Sequence, residues 1–195
     1  MVSMLFELFI PYKININIWA FEFMKAISSP LLNYAMSALA SSFFVVLPVL
    51  FLYMYFVKKD KNAYSFAVAI VVFYAVSNIV KLIVKEPRPC DTSSLSWINS
   101  YSCESGYAFP SSHATTLTGL AFFFRGYKVL SILYTIWLVV VLFGRVYLGQ
   151  HYLTDVLVGI VLSIAIYYVI SIFKTKINDF LNSIVKKIIP KIAIK

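Results

Sequence analysis

The sequence is organised around three polar clusters: KLIVKEPRP at Lys81–Pro89, PSSH at Pro110–His113 and RVYLGQHYLTD at Arg145–Asp155. Each cluster lies at the end of a very apolar segment, where charged residues usually pair with one another or serve a function. Together the clusters supply two imidazoles, several cations, two serine hydroxyls and a carboxylate. This combination predicts a binding site for an oxyanion, above all for a phosphoryl group.

The composition is that of an integral membrane protein. Of the 195 residues, 61% are hydrophobic and 13% are charged, whereas ordinary soluble domains carry about 25% charged residues. A formal net charge of +9 also occurs in nucleic-acid-binding proteins, but here the cations follow the loops. We therefore expect a lipid bilayer, and no nucleic acid, as the partner. No repeat, low-complexity tract or linker divides the chain, which predicts one membrane-embedded domain over residues 1–195.

The apolar segments predict an all-α fold, a polytopic bundle of five transmembrane helices. A segment of ~20 apolar residues is long enough to cross a bilayer. We place the five spans at about residues 35–57, 64–84, 111–124, 129–147 and 152–173, so that the bundle covers 35–173. The prolines in Glu86–Pro89 end the second span sharply, and Pro110 followed by Ser111 is typical of a helix start.

Amphipathic helices are predicted at both ends of the bundle. Residues 1–30 are expected to form an interfacial helix, with an imperfect first span as the alternative. Its apolar residues at helical spacing are Ile14, Ile18, Phe21 and Met24. Residues 174–195 are expected to form a basic cytoplasmic tail on the membrane surface. The apolar residues of that tail are Ile177, Phe180, Leu181, Ile184 and Ile188.

The distribution of cations predicts the orientation of the bundle. With five alternating spans, eleven of the seventeen Lys and Arg residues fall on one face, which the positive-inside rule makes cytoplasmic. The three polar clusters then face the extracytoplasmic side of the cell membrane. Cys90 and Cys103 lie in one loop on that side, where a disulfide can form, with two free thiols as the alternative.

The third cluster has the most informative spacing. His151 and Asp155 are four residues apart, so at a helix start they share a face and can touch. A carboxylate bonded to one imidazole nitrogen leaves the other nitrogen free as a base or nucleophile; simple capping of the helix is the alternative. Arg145 offers a guanidinium fork that suits phosphate oxygens, unless it snorkels to water.

The other two clusters complete the predicted site. Lys81 and Arg88 would neutralise a bound phosphate, with snorkelling as the alternative for a lysine near a span end. Ser111 and Ser112 would bind the anion through hydroxyls and backbone N–H groups at the positive end of a helix. His113 would donate a proton to the leaving oxygen. In the alternative interpretation Ser111 only caps the helix and His113 points at water.

These residues also carry a family resemblance. Lys81-x6-Arg88-Pro89, Pro110–His113 and Arg145-x5-His151-x3-Asp155 resemble, in order and spacing, the three signature motifs of the type 2 phosphatidic acid phosphatase superfamily. The motifs and their spans cover about residues 35–173. Within the superfamily, the small size and short basic turns most resemble the bacitracin-resistance type undecaprenyl-diphosphate phosphatases.

The resemblance implies a role for each motif residue. His151 would attack the terminal phosphorus and form a phosphohistidine, Asp155 would orient it, and His113 would protonate the leaving group. Water would then hydrolyse the intermediate. The resemblance implies no metal and no cofactor, because cations and amides perform the electrostatic work. The groups expected to hold the phosphoryl oxygens are Lys81, Arg88, Ser111, Arg145 and the amides of Ser112 and His113.

Two positions depart from the family pattern. Ser112 stands where the second motif often has glycine, and Gly144 stands where the third motif often begins with serine. Ser112 keeps its N–H, so we expect activity, but its added hydroxyl and more restricted backbone can change the fit of the headgroup. A glycine at 144 removes one possible phosphate donor.

The sequence therefore predicts a membrane phosphatase that removes the terminal phosphate of a polyprenyl diphosphate. Phosphatidate, phosphatidylglycerol phosphate and other lipid phosphates are alternatives, because the motifs recognise only the phosphoryl group. A transporter would carry charges in mid-span, whereas here they cluster at one end. A vanadate-dependent haloperoxidase shares the phosphate-like pocket but is soluble. The sequence leaves the oligomeric state open.

Overall fold

The computed structural model describes residues 15–91 and 103–194. Residues 1–14 of the predicted N-terminal helix, residues 92–102 of the predicted loop and Lys195 lie outside the described residues. Regular structure in the described part is entirely helical. The α-helices are α1 (Asn15–Ala26), α2 (Pro30–Ser41), α3 (Phe43–Leu52), α4 (Asn62–Val84), α5 (Ser112–Ala121), α6 (Lys128–Tyr147) and α7 (Leu153–Ile188). A π turn, Tyr53–Val57, continues α3, and 3-10 turns cover Pro89–Asp91 and Phe122–Phe124.

Four helical stretches of the described chain are long and apolar enough to cross a membrane: Pro30–Val57, Asn62–Asp91, Lys128–Tyr147 and Leu153–Ile188. They include four of the five predicted spans. The remaining one, predicted at 111–124, corresponds to α5 and its 3-10 turn. At 1.5 Å per residue these thirteen residues span only ~20 Å, less than the ~30 Å hydrocarbon core of a bilayer. The five-span count therefore stays a prediction.

Helix α5 is short and lies in the core of the bundle. Most of its side chains are buried, and it contacts α4, α6 and α7. The Tyr134 hydroxyl of α6 donates to the Leu117 carbonyl at 2.8 Å. At the far end of α5, Phe66 of α4 packs its ring against those of Phe123 and Phe124. The three long helices therefore cover α5, so that it needs no lipid-facing surface of its own.

Two glycines permit this close packing. A Cβ on Gly159 of α7 would lie 2.9 Å from both the Ala114 Cβ and the Ser111 carbonyl oxygen of α5. A Cβ on Gly119 would overlap the ring of Phe73 on α4. Only glycine lets the helix axes approach this closely. Because Ser111 belongs to the second polar cluster, the contact at Gly159 also holds that cluster close to α7.

The last helix differs from its prediction. Helix α7 runs without a break from Leu153 to Ile188, so most of the predicted tail continues the last span. Phe180 and Ile188, predicted on its apolar face, are exposed, while Asn178 and Asn182 are buried. Asn178 Oδ1 accepts from the Ser65 N–H at 2.9 Å. The first N–H groups of a helix lack intrahelical partners. The Asn178 amide in the tail therefore supplies a hydrogen-bond acceptor to the first turn of α4.

Helix α1 also packs differently from its predicted apolar stripe. Its buried residues are Asn17, Ala20, Phe21 and Met24, whereas Ile18 is largely exposed. The Asn17 side chain donates to Thr154 Oγ1 at 3.0 Å and accepts from the Thr154 N–H at 3.1 Å. Phe21 meets Tyr152 edge to face. The amide of Asn17 therefore caps the first turn of α7. The spacing of apolar residues does not predict this polar role.

Replacement of Gly159 by Ala tests the close packing of α5 and α7. The added methyl group overlaps the Ser111 carbonyl and Ala114, and overpacking of this kind typically costs about 1–3 kcal/mol. We expect a lower thermal unfolding midpoint in detergent, measured by circular dichroism. Gly126→Ala is the matched control, because a Cβ at Gly126 meets no atom within 4 Å. Equal midpoints for the two variants would contradict the packing described here.

Candidate active site

The three polar clusters meet at one end of the bundle. Lys81 lies in the last turn of α4, His113 in the first turn of α5, Arg145 in the last turn of α6 and His151 just before α7. These helices run alternately up and down, so these termini share one end. They surround a cavity of about 880 Å³. The predicted site residues that line it are Lys81, Arg88, Ser112, His113, Arg145 and His151.

His151 and Asp155 form a buried pair at the start of α7. The His151 Nδ1 lies 3.4 Å from the Asp155 Oδ2, and both side chains are almost inaccessible to solvent. The backbone N–H of Tyr152 donates to the same carboxylate oxygen at 2.9 Å and so fixes its position. With Nδ1 turned toward the carboxylate, Nε2 is the nitrogen left for chemistry.

The protonation state of His151 suits a nucleophile. Burial, followed by the positive charges of Arg145, Lys81 and Arg88, holds the pKa of the His151 imidazole well below its ordinary value. An imidazole with a lowered pKa is neutral at neutral pH and keeps a lone pair. The site therefore presents a neutral imidazole beside a group of cations.

Lys81 and Arg88 are held by backbone carbonyls of the loop before α5. The Lys81 Nζ donates to the carbonyls of Tyr107 and Ala108 at 2.6 and 2.8 Å. Arg88 donates through Nε to the Gly106 carbonyl at 3.2 Å and through a terminal nitrogen to the Gln150 carbonyl at 2.9 Å. Both cations are buried and line the cavity, so their positive charge is fixed at its polar end.

Arg145 is paired with an acid that the sequence analysis did not identify. Its two terminal nitrogens donate to the two carboxylate oxygens of Glu104 at 2.6 and 2.5 Å, while its buried Nε has no hydrogen-bond partner among the described residues. Burial raises the pKa of Glu104, but the hydrogen bonds and charge of Arg145 lower it more, so the carboxyl group stays ionised. The only signal in the sequence was an acidic residue directly after Cys103.

A disulfide fixes the segment that carries Glu104. Cys90 and Cys103 are bonded, with Cα atoms 5.7 Å apart, so the chain two residues after Arg88 is joined to the residue before Glu104. The backbone N–H of Glu104 also donates to the Gln150 Oε1 at 3.1 Å. Gln150 thus contacts both edges of the loop and adjoins His151 in sequence.

The PSSH cluster divides into one positioning residue and two cavity residues. Ser111 does not line the cavity: its hydroxyl accepts from the Ala114 N–H at 3.4 Å, and its N–H donates to the Asp155 carbonyl at 3.1 Å. Ser112 and His113 do line it. The His113 ring meets Phe43 edge to face, and its Nε2 is buried without a hydrogen-bond partner among the described residues. That nitrogen is available to a bound molecule.

Two further positions refine the sequence analysis. A Cβ on Gly144 would meet Met36 of α2 at 3.5 Å, so this position faces a neighbouring helix. Glu86, which was not singled out, is buried, and its carboxyl group lies against that of Asp155. Its backbone carbonyl accepts from the Ala108 N–H at 2.8 Å. The first cluster therefore contributes an acid behind the His151–Asp155 pair as well as two cations.

Comparison with known proteins identifies the family and a similar fold. Residues 62–179 match the family model of the PAP2 superfamily. The fold is similar to the crystal structure of the first transmembrane PAP2 type phosphatidylglycerolphosphate phosphatase from Bacillus subtilis, with a TM-score of 0.65 and 22% sequence identity over 90% of this chain and 92% of that one. The matched segment contains every cluster residue discussed above, from Lys81 to Asp155. The chain therefore belongs to the PAP2 superfamily and is a multi-pass membrane protein of that family.

Proposed function

We propose that this PAP2-type membrane lipid phosphatase removes the terminal phosphate of a polyprenyl diphosphate through a phosphohistidine intermediate. The observation that carries the proposal is the cavity, which combines two histidines and three cations at one end with an apolar wall along the bundle. A lipid phosphate has the same division into an anionic head and an apolar chain. The resemblance to the bacitracin-resistance type phosphatases supports the isoprenoid class of substrate.

The polar end of the cavity supports a two-step reaction. In the first step the His151 Nε2 attacks the terminal phosphorus, a P–N bond forms, and the P–O bond to the leaving group breaks. The His113 Nε2 has no competing partner and can carry the proton that the leaving oxygen accepts. In the second step water attacks the phosphohistidine, a P–O bond forms and the P–N bond breaks. His113, which gave up its proton in the first step, accepts one from the water, and inorganic phosphate is released. Asp155 orients His151 and stabilises the positive charge that develops on its ring.

Electrostatic stabilisation comes from fixed cations. Lys81, Arg88 and Arg145 are buried at the polar end and are held by carbonyls or a carboxylate. Preorganised donors in a site shielded from water stabilise developing negative charge without reorganising during the reaction. Ser112 and the backbone N–H groups at the start of α5 add donors at the positive end of a helix.

The apolar wall supports a lipid substrate. Phe43, Leu47 and Phe51 of α3 line the cavity together with Ile70 and Leu82 of α4. Several neighbouring apolar side chains on these helices are exposed at the surface of the bundle, among them Phe44 and Val71. An isoprenoid or acyl chain can lie between the two helices while its phosphate reaches His151. We place this polar end on the extracytoplasmic side. The lysines and the arginine within residues 58–61, 125–128 and 174–191 belong to the opposite end of the bundle, and the positive-inside rule makes that end cytoplasmic.

Phosphatidylglycerol phosphate is a second candidate substrate. The specific observation in its favour is the structural similarity over 90% of the chain to a phosphatase whose name carries that lipid. Both candidates present a terminal phosphoryl group to the same histidines, so the difference between them lies in the leaving group and the chains.

Replacement of His151 by Ala removes the proposed nucleophile, and we expect at least a ~10³-fold loss of phosphate release from a detergent-solubilised lipid phosphate. Asp155→Asn should lower kcat by about 10²–10⁴ because the imidazole loses its orienting carboxylate. Asp179→Asn, an exposed position on the same helix, is the matched control and should keep full activity. Turnover by the His151 variant close to that of the unmodified protein would exclude His151 as the nucleophile.

Removal of metal ions with a chelator tests whether the protein's own cations suffice for catalysis. If Lys81, Arg88 and Arg145 supply the positive charge, EDTA should change the rate of phosphate release by less than about twofold. Vanadate, which mimics the phosphoryl transition state, should inhibit the same reaction. Loss of activity in EDTA that Mg²⁺ restores would show that the reaction needs a metal.

A substrate panel tests the lipid class. We expect the highest kcat/KM for an isoprenoid diphosphate, with lower values for an isoprenoid monophosphate, phosphatidate and phosphatidylglycerol phosphate, all in the same detergent. The highest value for phosphatidylglycerol phosphate would favour the second candidate. No hydrolysis of any lipid phosphate would overturn the proposed function.

A further inference from the structure

We propose that Glu104 is a specificity-determining residue, an internal competitor that occupies the phosphate-binding fork of Arg145 and weakens the binding of inorganic phosphate. This inference rests on the proposed function, because it assumes that phosphate is the product and that it binds Arg145.

The contact between Glu104 and Arg145 has the geometry of the interaction expected with substrate. Two carboxylate oxygens accept from the two terminal nitrogens of the guanidinium at 2.6 and 2.5 Å. Phosphoryl oxygens bind arginine in the same two-fold manner. Since both terminal nitrogens are already engaged, a phosphate can bind this fork only by displacing the carboxylate.

The solvent exposure of the Arg145 and Glu104 side chains shows which of the two can move away. The Arg145 side chain is 2% exposed and the Glu104 side chain 47% exposed. The guanidinium is fixed inside the bundle, while the carboxylate lies at the mouth of the cavity and can rotate into water. Arrival of a phosphate therefore exchanges one anion on Arg145 for another and does not require the bundle to move.

The backbone of Glu104 is anchored, which favours return of the carboxylate after each turnover. The Cys90–Cys103 disulfide holds the preceding residue, and the Glu104 N–H donates to Gln150. Gln150 in turn accepts from Arg88 through its backbone carbonyl. The same carboxylate lies 3.5 Å from a terminal nitrogen of Arg88, so it neutralises charge on two of the three cations.

Competition of this kind lowers the affinity for product and substrate alike, and the product then has little affinity left. Both lose the same binding free energy to Glu104, but a lipid substrate also binds through its chain along the apolar wall, and inorganic phosphate has no such contact. Removal of the competing charge should therefore strengthen the binding of free phosphate and slow its release after each turnover.

Direct binding of inorganic phosphate to the purified full chain tests the inference. Glu104→Gln keeps the size of the side chain and removes its charge. We expect its phosphate Kd, measured by isothermal titration calorimetry, to be at least tenfold lower than that of the unmodified protein, with a matching fall in the Ki for phosphate in the hydrolysis assay. Glu104→Asp keeps a carboxylate, and its phosphate Kd should lie between those of the unmodified protein and Glu104→Gln.

Asp91→Asn is the matched control for charge. Asp91 is an exposed acid in the same loop, next to Cys90, and its loss changes the net charge by the same amount. We expect a phosphate Kd within about twofold of that of the unmodified protein. Equal effects of Asp91→Asn and Glu104→Gln would show that only the general electrostatic field matters, and this would overturn the inference.

A measurement on the unmodified chain guards against misfolding of the variants. Reduction of the Cys90–Cys103 disulfide frees the segment before Glu104 and should lower the phosphate Kd by a smaller factor. An unchanged or higher Kd both in Glu104→Gln and after reduction would overturn the inference while lipid hydrolysis by the unmodified protein still supports the proposed function. Absence of both phosphate binding and lipid hydrolysis in all proteins would overturn the two proposals together.

Discussion

The structure depends on the burial of three cations at one end of an apolar bundle. Lys81, Arg88 and Arg145 cannot lose their hydration without partners, because an isolated buried charge is far too costly. Backbone carbonyls from the segment before α5 satisfy the first two, and the carboxylate of Glu104 satisfies the third. The irregular chain at this end is therefore folded around the cations, and its geometry prepares donors for a tetrahedral anion.

The same requirement explains the short central helix. A longer α5 would carry His113 further toward the end of the bundle, where water would compete for the site. With only thirteen residues in α5 and its 3-10 turn, the start of the helix lies within the bundle, beside Ser77 of α4, which donates to the Ser112 hydroxyl at 3.1 Å. Gly159 permits this arrangement because α7 passes directly over the Ser111 carbonyl.

Sequence reasoning could predict the features that depend on local pattern. Apolar length indicated the four long helical stretches, and the i to i+4 spacing indicated the contact of His151 with Asp155. It missed features that depend on tertiary partners. Asn17 and Asn178 are polar residues on packed faces, and each accepts from a backbone N–H in the first turn of a distant helix. Asn182 is buried for a different reason, because it accepts from the Tyr64 hydroxyl of α4. Glu104 was missed because its partner, Arg145, lies 41 positions further along the chain.

The continuous helix α7 has a consequence for how the protein sits in bilayers of different thickness. Its 36 residues extend ~54 Å, well beyond the ~30 Å hydrocarbon layer. The end near Asp155 is tied by hydrogen bonds to α1 and α5, whereas the other end carries lysines that tolerate water and headgroups equally. A thinner or thicker membrane is therefore accommodated at the lysine-bearing end by sliding or tilting, and the depth of the reactive imidazole below the opposite surface stays constant.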